Sequence, residues 1–247
     1  ELYYSVDGHK ADKHLKPEEM SAIEGGLRYA AGGVSASVSV YHHWGKNMID
    51  WIMDTRQADE QTSGQADEPA TEQGANALVN SSTRSSSLYN VWTSVNHARI
   101  NSTGFEATAA LDFRRLMPGQ SVLRSLNAAY SYIDQSQRRE KGVQSLYALE
   151  YLRHKVTARL GLDLPPCLAL DISYRFQERV GSYTDPDGAN RQYKPYSLVD
   201  ARLAWNKPRY TIYVEANNLF NADYVDYGNV PQPGLWVMAG AKLNFKL

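Results

Sequence analysis

The sequence predicts an all-β fold, an antiparallel up-and-down meander forming the wall of a transmembrane β-barrel. Three observations carry this. Apolar and polar residues alternate with period two over most of the chain, one face of each predicted strand is free of charge, and short turns alternate with long polar connections.

The alternation is clearest from His154 to Leu164. There Val156, Ala158, Leu160, Leu162 and Leu164 interleave with Lys155, Thr157, Arg159, Gly161 and Asp163. After Pro165-Pro166 it restarts, with Leu168, Leu170, Ile172, Tyr174 and Phe176 set against Ala169, Asp171, Ser173, Arg175 and Gln177. Proline cannot donate to a strand ladder, so the pair marks a turn between two strands.

The same pattern predicts nine strands, at about 21–31, 34–45, 88–113, 123–135, 145–164, 167–180, 195–206, 209–219 and 235–247. The outward positions are the odd residues of 23–29, 105–113, 199–205 and 235–245. To these are added the even residues of 34–42, 126–132, 156–164, 168–176 and 210–216. None of these 42 positions is charged, where composition alone would put about nine charges. The interleaved positions carry thirteen: Glu24, Arg28, Glu106, Asp112, Lys155, Arg159, Asp163, Asp171, Arg175, Asp200, Arg202, Glu215 and Lys242.

The short connections are Ala31-Gly32-Gly33, the stretch from Arg114 to Gln120, Pro165-Pro166, and Asn206-Lys207-Pro208. Longer polar ones fall near 1–20, 54–87, 136–144, 181–194 and 220–234, and 54–87 is low in complexity. Short periplasmic turns opposite long extracellular loops are the arrangement of outer-membrane barrels. Alternation alone would also suit a soluble barrel with its apolar face inside. Strand length argues for the bilayer, because several strands exceed ten residues. Nine antiparallel strands do not close as bacterial barrels do, and open edges are not tolerated in lipid, so a portion of a larger barrel is expected.

Composition narrows the function. Of 247 residues, Lys plus Arg number 26 and Asp plus Glu 27, which argues against a nucleic-acid partner. No apolar run is long enough for a membrane-spanning helix, and mean hydropathy is −0.51. The single cysteine, Cys167, excludes an intrachain disulfide and a thiolate metal site. The chain opens on Glu1-Leu2-Tyr3-Tyr4 without the features of a signal peptide, so a signal has been removed or the chain is a piece of something longer. No hydrolase, zinc-protease or phosphate-loop motif is present, and neither catalysis nor a cofactor is expected.

Several motifs resemble those of the TonB-dependent outer-membrane receptors. They are Leu15-Lys16-Pro17-Glu18 leading to Glu24-Gly25-Gly26, then Asn47-Met48-Ile49-Asp50-Trp51-Ile52, and Asn96-His97-Ala98-Arg99-Ile100 followed by Gly104-Phe105-Glu106. Nearer the end come Asn217-Asn218-Leu219-Phe220-Asn221, Tyr224 and Pro233-Gly234. The chain closes on Phe245-Lys246-Leu247, where the family typically ends on Phe. The resemblance implies a 22-strand barrel of which residues 1–247 are the C-terminal portion, with the plug domain and early strands absent from this chain. It implies the outer membrane of a Gram-negative bacterium, with active import of a scarce, bulky nutrient: cobalamin, haem or an iron-siderophore. The loop of Glu1-Leu2-Tyr3-Tyr4 with Leu15-Lys16-Pro17-Glu18 is most similar to those of vitamin B12 receptors and some haem receptors, which favours cobalamin. Expected partners are the TonB complex (acting through the absent plug), a small-molecule chelate, outer-membrane lipid and a surface lipoprotein. A passive porin is the alternative, and an outer-membrane enzyme or adhesin a third.

Candidate ligand contacts are the loop aromatics Tyr3, Tyr4, Tyr183, Tyr193, Tyr224 and Tyr227, together with His9, since a bulky chelate is held by aromatic surface and a few polar groups. The other histidines are expected at surfaces: His42 and His43 lie on opposite faces of one strand and cannot share a ligand. Trp44, Trp51, Tyr89, Trp92, Tyr130, Tyr132, Tyr174, Tyr196 and Tyr210 suit interfacial girdles. Arg138-Arg139-Glu140-Lys141 is expected at a solvated loop tip, and Asp185-Pro186-Asp187-Gly188 in a turn without calcium-loop spacing.

Overall fold

The period-two alternation becomes extended chain over most of the described residues. The computed structural model describes residues 9–10, 12–54, 92–137, 143–145, 151–185, 187–228 and 230–245. Its elements are β1 (His9–Lys10), β2 (Glu19–Ala31), β3 (Val34–Asp54), β4 (Trp92–Asp112), α1 (Phe113–Leu116), β5 (Leu123–Gln137), β6 (Val143–Ser145) and β7 (Tyr151–Leu164). They continue with β8 (Leu168–Val180), β9 (Ser182–Thr184), β10 (Asn190–Gln192), β11 (Tyr196–Asn206), β12 (Tyr210–Asn217) and β13 (Trp236–Leu243).

The sheet order is β13-β12-β11-β8-β7-β5-β4-β3-β2, so the long strands neighbour one another in chain order, as a meander requires. β1 lies parallel to β4, β6 pairs with β3, and β9 and β10 form a separate hairpin. The nine strands on this path correspond to the nine predicted. Three limits shift. β3 runs on to Asp54, past Asn47 at φ 54°, where the apolar rhythm breaks. The predicted 145–164 strand is two elements, because Val143–Ser145 pairs with Ile52–Asp54. The last strand ends at Leu243.

The chain divides into two compact units. The larger comprises Ser21–Trp44, Asn101–Ser136 and Leu149–Leu247. Its register sorts the faces: Leu160 lies across from Leu126 and Ile172, and Leu162 across from Leu170. Likewise Leu203 pairs with Leu170 and Val214, and Val214 with Ala239. Every such partner is a position predicted to face outward. The other face pairs Asn127 with Arg159, Thr157 with Arg175, and Arg202 with Asp171 and Glu215. Burial is inverted relative to a water-soluble domain. Leu27 is 82% exposed, Val237 58% and Val214 47%, whereas Leu198, which pairs with Arg175 on the polar face, is 2% exposed. An apolar face left so open needs an apolar solvent.

Two glycines on the polar face serve close approach. The Tyr41 ring occupies the space a Cβ on Gly104 would need, and the Tyr213 ring lies 2.5 Å from where a Cβ on Gly240 would stand. Arg202 in turn lies 4.2 Å from the Tyr213 ring centroid. The turns follow local chemistry. Gly32 and Gly33 supply two consecutive positive φ values, 58° and 92°, for the tight β2–β3 hairpin. Pro165-Pro166 is a cis bond between β7 and β8.

The second unit comprises Glu1–Met20, Gly45–Ile100 and Gln137–Ala148. Here the motif residues act as clamps. Asn96 Nδ2 donates to Lys16 O at 2.9 Å and to Asn47 O at 2.6 Å, while Asn96 Oδ1 accepts from Lys16 N. Glu18 Oε1 accepts the Ile49 amide at 2.7 Å, and Ser94 Oγ that of Asp12 at 2.9 Å. Asp50, Trp51 and Ser94 are buried. Trp51 therefore corrects the girdle expectation: at 3% exposure it packs inside this unit.

Candidate functional site

Charge on the polar face collects near the short turns. Arg124, at a bulge in β5, reaches Asp171 at 2.5 Å and Asp163 at 3.1 Å. It fits because Gly161 has no Cβ; one there would stand 2.7 Å from the guanidinium. Arg114 also bonds Asp163, and Arg159 lies 3.4 Å from Asp171. A recess of about 610 Å³ beside them is lined by Arg114, Arg115, Arg124, Asn127 and the Gly32-Gly33 turn, together with apolar side chains such as Val34 and Leu111.

The candidate tyrosines converge at the opposite ends of the strands. Arg179, near the end of β8, has a guanidinium 5.7 Å from the Tyr193 ring centroid and 5.5 Å from that of Tyr227, both within cation–π range. Its Nε donates to Asp226 O at 2.7 Å, and a terminal nitrogen lies 3.6 Å from Asp226 Oδ1. The Tyr196 hydroxyl donates to Asp226 Oδ1 at 2.9 Å and bonds Gln177. Tyr196 and Tyr224 stand 4.5 Å apart, and Tyr183 and Tyr193 5.2 Å apart. The Tyr193 hydroxyl accepts the Gly228 amide at 2.9 Å. Of the seven predicted contacts, Tyr183, Tyr193, Tyr224 and Tyr227 thus share one cluster. Tyr193 is 7% exposed and sits beneath it, whereas Tyr227 is 56% exposed. Tyr3 and Tyr4 lie outside the described residues, and His9 is placed only as the first backbone position of β1.

Arg179, Tyr196 and Asp226 complete the cluster without having been anticipated. Parity would have placed the first two. Arg179 falls on the odd, polar series of β8, and Tyr196 pairs with Gln177 on that same face, which removes it from the girdle. Nothing local marks Asp226.

The adjoining β9–β10 hairpin, whose Tyr183 packs on Tyr193, satisfies its turn from within. Asp185 Oδ1 accepts the amides of Asp187 at 3.1 Å and Ala189 at 2.8 Å, and Oδ2 accepts Arg191 Nε at 2.8 Å. The Arg191 bond, then that from Ala189, holds the Asp185 carboxyl below the usual carboxylate range. Both oxygens are occupied, as a turn requires. No group of three or more metal-ligating side chains occurs among the described residues. On the outward face, His42 bonds Thr103 Oγ1 at 2.7 Å and Tyr130 bonds His154 at 2.9 Å; on the polar face His43 stacks on Tyr41. The two adjacent histidines are indeed separated.

A second structural clamp closes the β12–β13 connection. Asn218, at φ 52° and 4% exposed, exchanges bonds with the Ala222 backbone and donates to Pro233 O, while its own amide reaches Asp200. Asn221 Oδ1 accepts the Leu235 amide at 2.8 Å.

An uncharged outward wall, a charged inner wall and aromatic clusters at the long-loop end together define an outer-membrane β-barrel. Residues 1–219 match the family model described as TonB dependent receptor-like, beta-barrel, and the chain belongs to that family. No curated protein matches the sequence. Among solved structures, it resembles the FrpB iron transporter from Neisseria meningitidis (F3-3 variant), with TM-score 0.60 and 16% identity over 94% of this chain and 32% of that one. It also resembles the ferripyoverdine receptor of Pseudomonas aeruginosa bound to ferripyoverdine, with TM-score 0.58 and 14% identity over 94% and 28%. For the ferric-catecholate import receptor Fiu from E. coli K12 the values are 0.59 and 15%, over 94% and 28%. At these identities the likeness is one of fold. The chain spans about a third of the length of these proteins.

Proposed function

We propose that this chain is barrel wall from a receptor that imports a scarce, bulky nutrient across the outer membrane with energy delivered by TonB. Family membership over residues 1–219 is the observation that carries this reading. The force would act on a plug segment outside this chain. An iron chelate is the substrate class we favour, because FrpB, the ferripyoverdine receptor and Fiu are named for iron or its chelates. Haem and cobalamin are the competing ligand classes. Tyr183 and Tyr227 are the proposed ring contacts, with Tyr193 and Tyr224 supporting them from below; Tyr3, Tyr4 and His9 are proposed contacts on the opening loop. A surface lipoprotein is a further proposed partner.

The test is uptake at nanomolar concentration of labelled ferric chelates, haem and cobalamin by cells carrying the receptor, with and without a protonophore. Accumulation of one ligand that the protonophore stops is the expected result. Equilibration that ignores the protonophore would identify a passive channel instead.

A further inference from the structure

Two separate connections meet at a single guanidinium. The β8–β11 connection, residues 181–195, supplies Tyr193, and the β12–β13 connection, residues 218–235, supplies Asp226, Tyr227 and Gly228. Arg179 belongs to neither; it projects from the wall strand β8. We infer that Arg179 is a positioning residue that holds both connections in a fixed relation to the barrel wall, so that the half-buried Tyr183 ring and the exposed Tyr227 ring are presented pre-ordered.

The side chain is suited to this by geometry. It is 16% exposed, lies between two tyrosine rings, and spends its Nε proton on a backbone carbonyl at 2.7 Å. A planar guanidinium can stack and donate in its own plane at once, which an ammonium cannot. Asp226 balances the charge and is itself held by the Tyr196 hydroxyl at 2.9 Å, from the first residue of β11. The Gly228 amide, bonded to the Tyr193 hydroxyl, links the connections to each other directly. The contact chain Tyr183–Tyr193–Arg179–Tyr227 therefore joins the half-buried Tyr183 ring to the exposed Tyr227 ring through the buried Tyr193 and the largely covered Arg179. Ordering a loop before binding removes that entropic cost from the binding step. This consequence for ligand rests on the import reading; the anchoring of the connections does not.

Hydrogen exchange on the unliganded full-length receptor in detergent tests the anchoring alone, so its failure is separable from failure of the uptake experiment. Arg179→Gln should raise exchange about tenfold or more in both 224–228 and 182–185, with β7 and barrel migration on gels unchanged. Arg179→Lys should recover only part of the protection, since it restores the charge without the plane. If Arg179→Gln fails to assemble, Tyr193→Phe removes one hydroxyl and should accelerate the Gly228 amide selectively. Exchange in Arg179→Gln within twofold of wild type would overturn the inference. So would full protection in Arg179→Lys, or an unaltered Gly228 amide in Tyr193→Phe.

Discussion

Leu160 and Ser173 are neighbours across β7 and β8 but belong to different solvents. Leu160 lies between Leu126 and Ile172 on the outward face, about 10 Å above the periplasmic turn for a tilted strand. That is near the middle of the apolar band, so Leu160→Arg should cost about 2–4 kcal/mol. Ser173 faces Arg159 and Asp200, and Ser173→Arg should be nearly neutral because the new cation meets water and a carboxylate. Equilibrium unfolding of the receptor from lipid vesicles measures both; equal losses would invert the facing. Asp185 makes a different kind of prediction. Its folded carboxyl titrates below its unfolded value, so its contribution is complete above about pH 4 and disappears as pH falls through the lower folded value. A spin label at position 187 should gain mobility only below about pH 4, and Asp185→Asn should remove that acid step. A mobility change centred near neutrality would contradict the assignment.

At the scale of elements, the motifs and the strands do different jobs. Strands follow from alternation, whereas the asparagine motifs tie their ends. Asn218 combines a left-handed backbone with side-chain bonds to Ala222 and Pro233 in a buried site. Asn218→Ala should therefore cost about 2–4 kcal/mol, partly backbone strain and mostly unpaired polar groups. Asn218→Gly separates the two, since it relieves the strain alone and should recover only about 1 kcal/mol. Denaturant titration of both variants checks this; full recovery in the glycine variant would assign the whole effect to backbone. Gly234 belongs to the same clamp, because a Cβ there would collide with the Asn221 carbonyl oxygen that holds Leu235 in place.

Across the molecule, the larger unit is an inverted domain. Leu198, Ala169 and Ala204 are buried on the polar side, while large apolar side chains cover the outer side. From Leu164 to His154 the outward series spans roughly 25 Å along the membrane normal, the height of an outer-membrane apolar band. At its extracellular edge stand Tyr130, Tyr132 and His154, with Tyr130 and His154 hydrogen-bonded; at its periplasmic edge Trp205 and Tyr210 meet edge to face. Charge on the inner face is concentrated at Arg124, Asp163 and Asp171, where ion pairs satisfy one another near the periplasmic turns.

The sequence by itself determined the strands, their facing and the family. Period two is a backbone property, and a lipid-facing position excludes charge wherever it falls, so both leave a mark along each of the nine strands, from Ile23 in the first to Phe245 in the last. The clamp motifs were legible as a resemblance, but not as hydrogen bonds from Asn96 to Lys16 or from Asn218 to Pro233. Only the tertiary structure decided that Trp51 is buried and that Arg179, Tyr196, Asp226 and four loop tyrosines form one cluster. The contacts that join the two connections to the wall reach across 30 to 48 residues of chain, as in Tyr196 with Asp226 and Arg179 with Tyr227. No local rhythm encodes such a distance. It is set by where the register of the sheet brings two loops together.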